Sequence, residues 1–219
     1  MGQSPYLAPG FYDRALAQGR HRDIVGGRWE ETANYQMECL LEEGLRPDHH
    51  LLDIGCGSLR LGHMAVPYLA PGHYWGTDAS AALMQRGYEV ELADKSRLPP
   101  GQLVQDTDFA FPGIPGVIDH AIAWGVFTHL PPEALPPALA NLRRSFPRLQ
   151  KLLLTVFLAP EDATGAHRQI DGVVTHPTRP PWHRRQGAVE AEARAAGFAI
   201  GWREKWLPRG QRLAVLVPA

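Results

Sequence analysis

Cysteine is scarce in this sequence: only Cys39 and Cys56 occur among 219 residues. One lies in a helical pattern and the other inside a glycine-rich turn. Two thiols so placed make neither a disulfide framework nor a thiolate metal site. They suit a reducing compartment, and a cytoplasmic location is expected. An excess of one charge is lacking too. The formal net charge is −1, which supplies no global field to gather nucleic acid, so a nucleic-acid partner is not expected. No apolar run approaches the length of a membrane span. The opening MGQSPYLAPG has neither the basic nor the apolar region of a secretory leader. No set of His, Cys and acids has metal-ligand spacing, since His49 and His50 are adjacent while His63 and His73 are isolated; no metal site is expected. A G-x-S-x-G elbow and a P-loop lysine are likewise missing.

What is present describes one folded domain with a large core. Apolar residues make up 44% and charged residues 21%, as in ordinary globular chains. The 22 glycines and 20 prolines punctuate many short elements. Residues 1–10 read as a loose arm and 11–20 as a short helix stopped near Gly19. Trp29–Glu43 reads as an amphipathic helix, with Trp29, Ala33, Met37, Leu40 and Leu41 at helical spacing and Gly44 as its stop. Short apolar runs follow at 50–54, 74–77, 102–105 (a weak one), 117–124 and 152–158, each reading as a strand. Helical patterns stand between them at 59–69, 80–92 and 131–146. Pro67 should bend the first, Ser80 can cap the second, and prolines open the third.

This alternation predicts an α/β fold: a doubly wound, mostly parallel sheet with helices on both faces and an N-terminal helical segment. A helix at 187–196 precedes two final strands, 198–202 and 212–217. Only a hairpin-length connection joins these two, so the last strand should run antiparallel. The division expected is 1–48 as an arm and helices covering the site, and 49–219 as the main domain. The stretch 159–185 is too long for an ordinary connection and is expected to be a functional loop. From Arg179 to Arg212 eight Lys/Arg stand against three Glu, a run that usually marks a solvated face.

The most informative segment is Leu51-Leu52-Asp53-Ile54-Gly55-Cys56-Gly57-Ser58-Leu59-Arg60. A strand enters a glycine turn and leaves as a helix. Glycines at 55 and 57 let the backbone turn tightly and approach a ligand, and the amides that follow favour a polar or negative group. Asp78 lies 25 residues after Asp53, at the end of the next strand. An acid so placed can hold both ribose hydroxyls of an adenosine. A dinucleotide pattern starting at Gly55 would need glycine at 60, where Arg60 stands, so a pyrophosphate cradle is disfavoured.

LLDIGCGSLRLG and YWGTDAS resemble the first two motifs of class I S-adenosylmethionine-dependent methyltransferases. GRHRDIVGGRWEETANYQ, AWGVFTHLPPEAL and LPRGQRLAVLV resemble one bacterial group of that class, so the similarity covers roughly residues 19–217. It implies a Rossmann-like, seven-stranded fold with S-adenosyl-L-methionine as cofactor and S-adenosyl-L-homocysteine as product. Carried over residue by residue, Gly55, Cys56, Gly57 and Ser58 would lie beside the amino-acid part of the cofactor and Asp53 near its ammonium. Asp78, with Ala79, would hold the ribose. Asp106 would meet the adenine, with Asp108 as rival. Trp124 and Phe127 would border the adenine or the methyl donor, and Arg22 and Trp29 would close over the methionine end. The chain departs from the pattern at Leu59, where many members have a third glycine, and at Trp124-Gly125.

Methyl transfer to a hydroxyl acceptor needs alignment, exclusion of water and a base. His129, past the fourth strand, and His183, after the long loop, are the base candidates. Each has a bland alternative, bracing the loop in which it sits. Trp182 could stack on a planar acceptor or plug the domain edge. The leading expectation is a small-molecule methyltransferase acting at oxygen. Competing with it are modification of RNA or protein, supported only by the basic C-terminal third, and a non-catalytic protein that binds the cofactor. The oligomeric state is not written in the sequence.

Overall fold

The apolar run at residue 51 forms a strand because nothing in it can face water: all four residues of β1 (Leu51–Ile54) are buried. The computed structural model describes Ser4, Ala8 and residues 10–219. Apart from those three positions, the arm expected over residues 1–10 lies outside the described residues.

Strands β2 (Tyr74–Asp78), β3 (Leu103–Gln105), β4 (His120–Ala123) and β5 (Lys151–Ala159) continue the parallel pattern, and β9 (Phe198–Trp202) and β10 (Arg212–Pro218) close it. Their order across the sheet is β3-β2-β1-β4-β5-β10-β9. β1 pairs in parallel with both β2 and β4, so the chain reverses its direction of travel across the sheet there. Ligands in such sheets bind at that reversal, beyond the carboxyl ends of the strands. β10 runs antiparallel to both β5 and β9, as its short connection predicts.

Alternate residues of each strand feed two cores, because side chains alternate across a sheet with period two. Leu51, Ile122, Leu153 and Val215 face one way, among residues of α3 (Trp29–Glu42), α4 (Gly62–Tyr68) and α5 (Ala81–Val90). Leu52, Ala121, Leu152, Leu154 and Leu216 face α6 (Leu135–Ser145) and α7 (Gln186–Ala195). The predicted Ser80 cap is present: its Oγ accepts from the Leu83 amide at 3.2 Å.

Three local expectations change. The helix expected from Leu59 starts at Gly62, because Leu59 takes a left-handed backbone (φ 64°) and prolongs the turn. The N-terminal region holds two short helices, α1 (Asp13–Ala17) and α2 (His21–Ile24), in place of one. Segment 159–185 is built and not merely looped. It contains a hairpin of β6 (His167–Arg168) and β7 (Val174–Thr175), then β8 (His183–Arg185), which pairs in parallel with the end of β5 as an eighth strand. Among the described residues, no helix is long and apolar enough to cross a membrane.

Candidate functional site: a cleft beyond the tips of β1, β2 and β4

The glycine turn after β1 is clamped from the neighbouring strand. The Thr77 carbonyl accepts from the Gly55 amide at 2.7 Å and from the Cys56 amide at 2.9 Å. Gly55 (φ 71°) and Gly57 (φ 57°) hold left-handed conformations. A Cβ on Gly55 would come within 2.5 Å of Val126 Cγ2, and one on Gly57 within 3.0 Å of Val25 Cγ1. Side chains from the loop after β4 and from the N-terminal segment thus close directly on this turn, and only glycine leaves room for them. Helix α5 crosses just as tightly: a Cβ at Gly87 would lie 2.3 Å from the Ser58 carbonyl oxygen.

Asp78 is fixed on both sides. One carboxylate oxygen accepts from the Gly57 amide and the other from the Ser80 amide, each at 2.9 Å. Burial pushes its pKa up while these amides, with that of Ala79, hold it down. Asp53 is more deeply enclosed. Burial raises its pKa to about 7, against a 2.7 Å hydrogen bond donated by the Tyr74 hydroxyl and the field of Arg60. Burial in turn lowers the Arg60 guanidinium to about 10, with Asp53 opposing the shift. Arg60 donates through Nη1 to the Val25 carbonyl at 2.8 Å, and its buried Nε has no hydrogen-bond partner. A carboxyl and a guanidinium within each other's field therefore line the cleft together with two anchored carboxylate oxygens.

The cleft is lined by Asp53, Gly55, Cys56, Gly57, Asp78, Ala79, Asp106, Trp124 and His129 among the residues expected from sequence. Asp106 also folds its own loop, accepting from the amides of Asp108 and Ala110 at 3.2 Å and of Phe111 at 2.9 Å. Asp108 does not line the cleft, so Asp106 is the carboxylate of the two that faces it.

Six candidate residues stand elsewhere. Ser58 is fully buried, with its hydroxyl on the His21 carbonyl at 3.1 Å. Phe127 stacks behind Phe109, ring centres 5.5 Å apart, and it is Phe109 that reaches the cleft. Arg22 forks onto Glu91 at 2.8 and 2.7 Å, and Trp29 is buried and stacked on His63. These two hold the N-terminal segment down; the residues it presents to the cleft are Tyr12, Ile24, Val25, Gly26 and Arg28. His183 is buried with Nδ1 against the Thr175 hydroxyl at 2.9 Å and does not line the cleft. Trp182, 1% exposed, plugs the domain and cannot stack on a ligand.

Residues 52–146 match the family described as a methyltransferase domain. That stretch holds the glycine turn, Asp53 and Asp78, so the segment that resembles a methyltransferase domain is the one that builds these parts of the cleft. Solved structures share the architecture. The magnesium protoporphyrin IX methyltransferase of Synechocystis PCC 6803, with bound S-adenosylmethionine, is 18% identical over 95% of this chain and 94% of its own, with a TM-score of 0.63. A TehB-like S-adenosylmethionine-dependent methyltransferase from Corynebacterium glutamicum is 17% identical over 97% and 100%, at 0.62. DhpI, in complex with S-adenosylhomocysteine, is 14% identical over 98% and 95%, at 0.65. At such identities the likeness is one of fold.

The residues at the cleft fit S-adenosylmethionine: the glycine turn that a Cβ would fill, the unpartnered Arg60 Nε, and the Asp53 carboxyl and Arg60 guanidinium, which match a zwitterionic amino acid. Sequence reasoning missed Tyr74, Arg60, Arg209 and Gln211. For Arg60 a signal existed, because the long cation at that position is the feature that argued against a pyrophosphate. For Tyr74 and Arg209 no local pattern points to the cleft.

Proposed function

We propose that this enzyme transfers the methyl group of S-adenosylmethionine to an oxygen of a small organic acceptor. The observation that carries this reading is the extent of the cleft. Beyond Asp53 and Asp78 it is also lined by His129, Leu130, Pro208, Arg209 and Gln211, a mix of apolar and polar groups that suits a compact second molecule beside a cofactor. The N-terminal segment roofs it, which suits exclusion of water. When bound, the cofactor supplies an electrophilic methyl on sulfonium sulfur.

In this reading Asp78 accepts from the ribose hydroxyls, Asp53 and Arg60 hold the amino-acid end, and Trp124 and Phe109 flank the adenosine. Segment 159–185 lies on the acceptor side, where Trp182 donates its amide to the Thr128 carbonyl at 2.9 Å and ties segment to cleft wall. His129 is the base. Burial and the nearby Arg209 charge lower its pKa to about 4, so it is neutral at pH 7 and able to take the acceptor's hydroxyl proton. Asp53, Arg60 and Asp78 would hold that cofactor, which would supply the methyl group, while His129 would hold the proton that leaves the acceptor oxygen.

The basic C-terminal stretch gives little support to an RNA or protein substrate. Its Arg184 pairs with Glu192, Arg194 with Glu190, Arg203 with Glu43 and Lys205 with Glu38, which leaves less free charge for a polyanion. The deciding experiment incubates the protein with methyl-labelled S-adenosylmethionine and fractionated cell extract. Label in the low-molecular-weight fraction is expected. Label confined to RNA or protein would move the assignment to those acceptors, and no label in any fraction would favour a non-catalytic binding protein.

A further inference from the structure

Two arginines converge on one turn of the cleft roof. Arg60 Nη1 donates to the Val25 carbonyl, and Arg209 Nη2 donates to the next carbonyl, that of Gly26. A Cβ placed on Gly26 would lie 3.9 Å from Arg209 Nη2 and 4.0 Å from Arg60 Nη1. Arg184, Arg194 and Arg203 each have an acid partner; these two hold main-chain oxygens instead. The acid whose field reaches Arg60 is Asp53. Together that pair matches one zwitterion, the amino-acid end of the cofactor. The Arg209 charge is then left over. It lines the cleft, and its charge is felt at His129.

The backbone adds a second observation. Arg209 sits at φ 67° between Pro208 and Gly210, a conformation that glycine adopts without steric cost. The turn is packed from outside: a Cβ at Gly210 would lie 2.9 Å from Gln169 Cβ and 3.3 Å from Ile170 Cγ2, on the β6–β7 hairpin. A long cation thus occupies a disfavoured position in a turn held rigid from behind, and unusual backbone of this kind concentrates at ligand contacts.

We propose that Arg209 recognises a negatively charged oxyanion, a carboxylate or a phosphate, carried by the acceptor. The inference rests on the small-acceptor reading above and names the chemical class of that acceptor. One N–H of Arg209 is engaged by Gly26, and the remaining fork suits the two oxygens of such a group. An anion there also offsets the charge that disfavours the imidazolium of His129, so binding of the acceptor strengthens the base.

The test uses calorimetry on the full-length protein saturated with S-adenosylhomocysteine. Wild type and Arg209→Gln are titrated with benzoate, phenyl phosphate and benzamide. In the wild type at least one anion should bind about fivefold or more tighter than benzamide, as for a charge-assisted pair, and the better of the two identifies the oxyanion. In Arg209→Gln that preference should vanish while affinity for S-adenosylhomocysteine holds. Equal binding of anions and amide, absence of binding by all three, or a preference that survives Arg209→Gln overturns the proposal. So does a large loss of S-adenosylhomocysteine affinity in the variant, which would give Arg209 to the cofactor. Failure of the wild type to bind S-adenosylhomocysteine would overturn the cofactor reading itself.

Discussion

The two halves of the cleft are built by different means. On the cofactor side, backbone does most of the work: the Thr77 carbonyl, the amides of Gly57 and Ser80, and two left-handed glycines fix Asp78 and the turn within a span of 26 residues, 55–80. On the acceptor side, side chains from distant parts of the sequence meet. Gly26, His129 and Arg209 come together only because the N-terminal segment, the loop after β4 and the turn before β10 fold over one edge. The first kind of site depends on local geometry common to any chain with that turn. The second depends on the path of the whole fold, and is where two chains of the same fold can differ.

The sharpest way to break this contrast is Gly55→Ala. Its Cβ meets Val126 at 2.5 Å on a backbone that L residues avoid. Cofactor affinity should fall about a hundredfold, as expected for a few kcal/mol of overpacking and strain; calorimetry with S-adenosylhomocysteine checks it, and a change under threefold would show that the turn tolerates a side chain. Next is Asp78→Ala, which removes a hydrogen-bonding carboxylate and strands two amides. A loss of roughly ten- to a hundredfold in the same titration is expected, and unchanged affinity would refute the ribose assignment.

A smaller effect tests the charge at the methionine end. With Asp53 near 7, its carboxylate is protonated as pH falls through that value. The ionised form is the one that attracts an ammonium group, so affinity should drop about tenfold between pH 8 and pH 6 and level off above pH 8. Asp53→Asn should flatten this profile; an unchanged slope would place the titrating group elsewhere. The smallest contrast sets the two histidines against each other. His129→Ala should lower kcat about tenfold, modest for a base of depressed pKa, and leave cofactor affinity alone. His183→Ala should lower the melting temperature, since a buried hydrogen bond is lost, with kcat within about twofold of wild type. Equal kcat in both variants would remove His129 from the chemistry.

Much of the fold is legible because it follows from periodicity. Buried runs such as Leu51–Ile54 and Lys151–Ala159, the Ser80 cap and the short link before β10 each carry a local physical signal. Segment 159–185 is not legible, because strands of two or three residues show no period and owe their pairing to neighbours such as Phe157. The start of α4 is misread for a related reason. Leu59 looks helical by its side chain, and only the buried turn around it imposes the left-handed backbone. Among site residues, those on the strand tips are found by spacing. Arg22 and Trp29 are misplaced because their pattern says only that they matter: Glu91, 69 residues beyond Arg22, draws that arginine away from the cleft. His183 shows the same limit, since Thr175 and the neighbouring hairpin take it into the interior.

The central claim is that Asp53 and Asp78, flanking the glycine turn, grip an adenosine-bearing amino acid and not a dinucleotide. Parallel titration of the purified chain with S-adenosylhomocysteine and with NADH tests it directly. Saturable binding of S-adenosylhomocysteine, weakened by Asp78→Ala, with no heat from NADH, is the predicted result; NADH saturating the protein while S-adenosylhomocysteine gives no heat would contradict it.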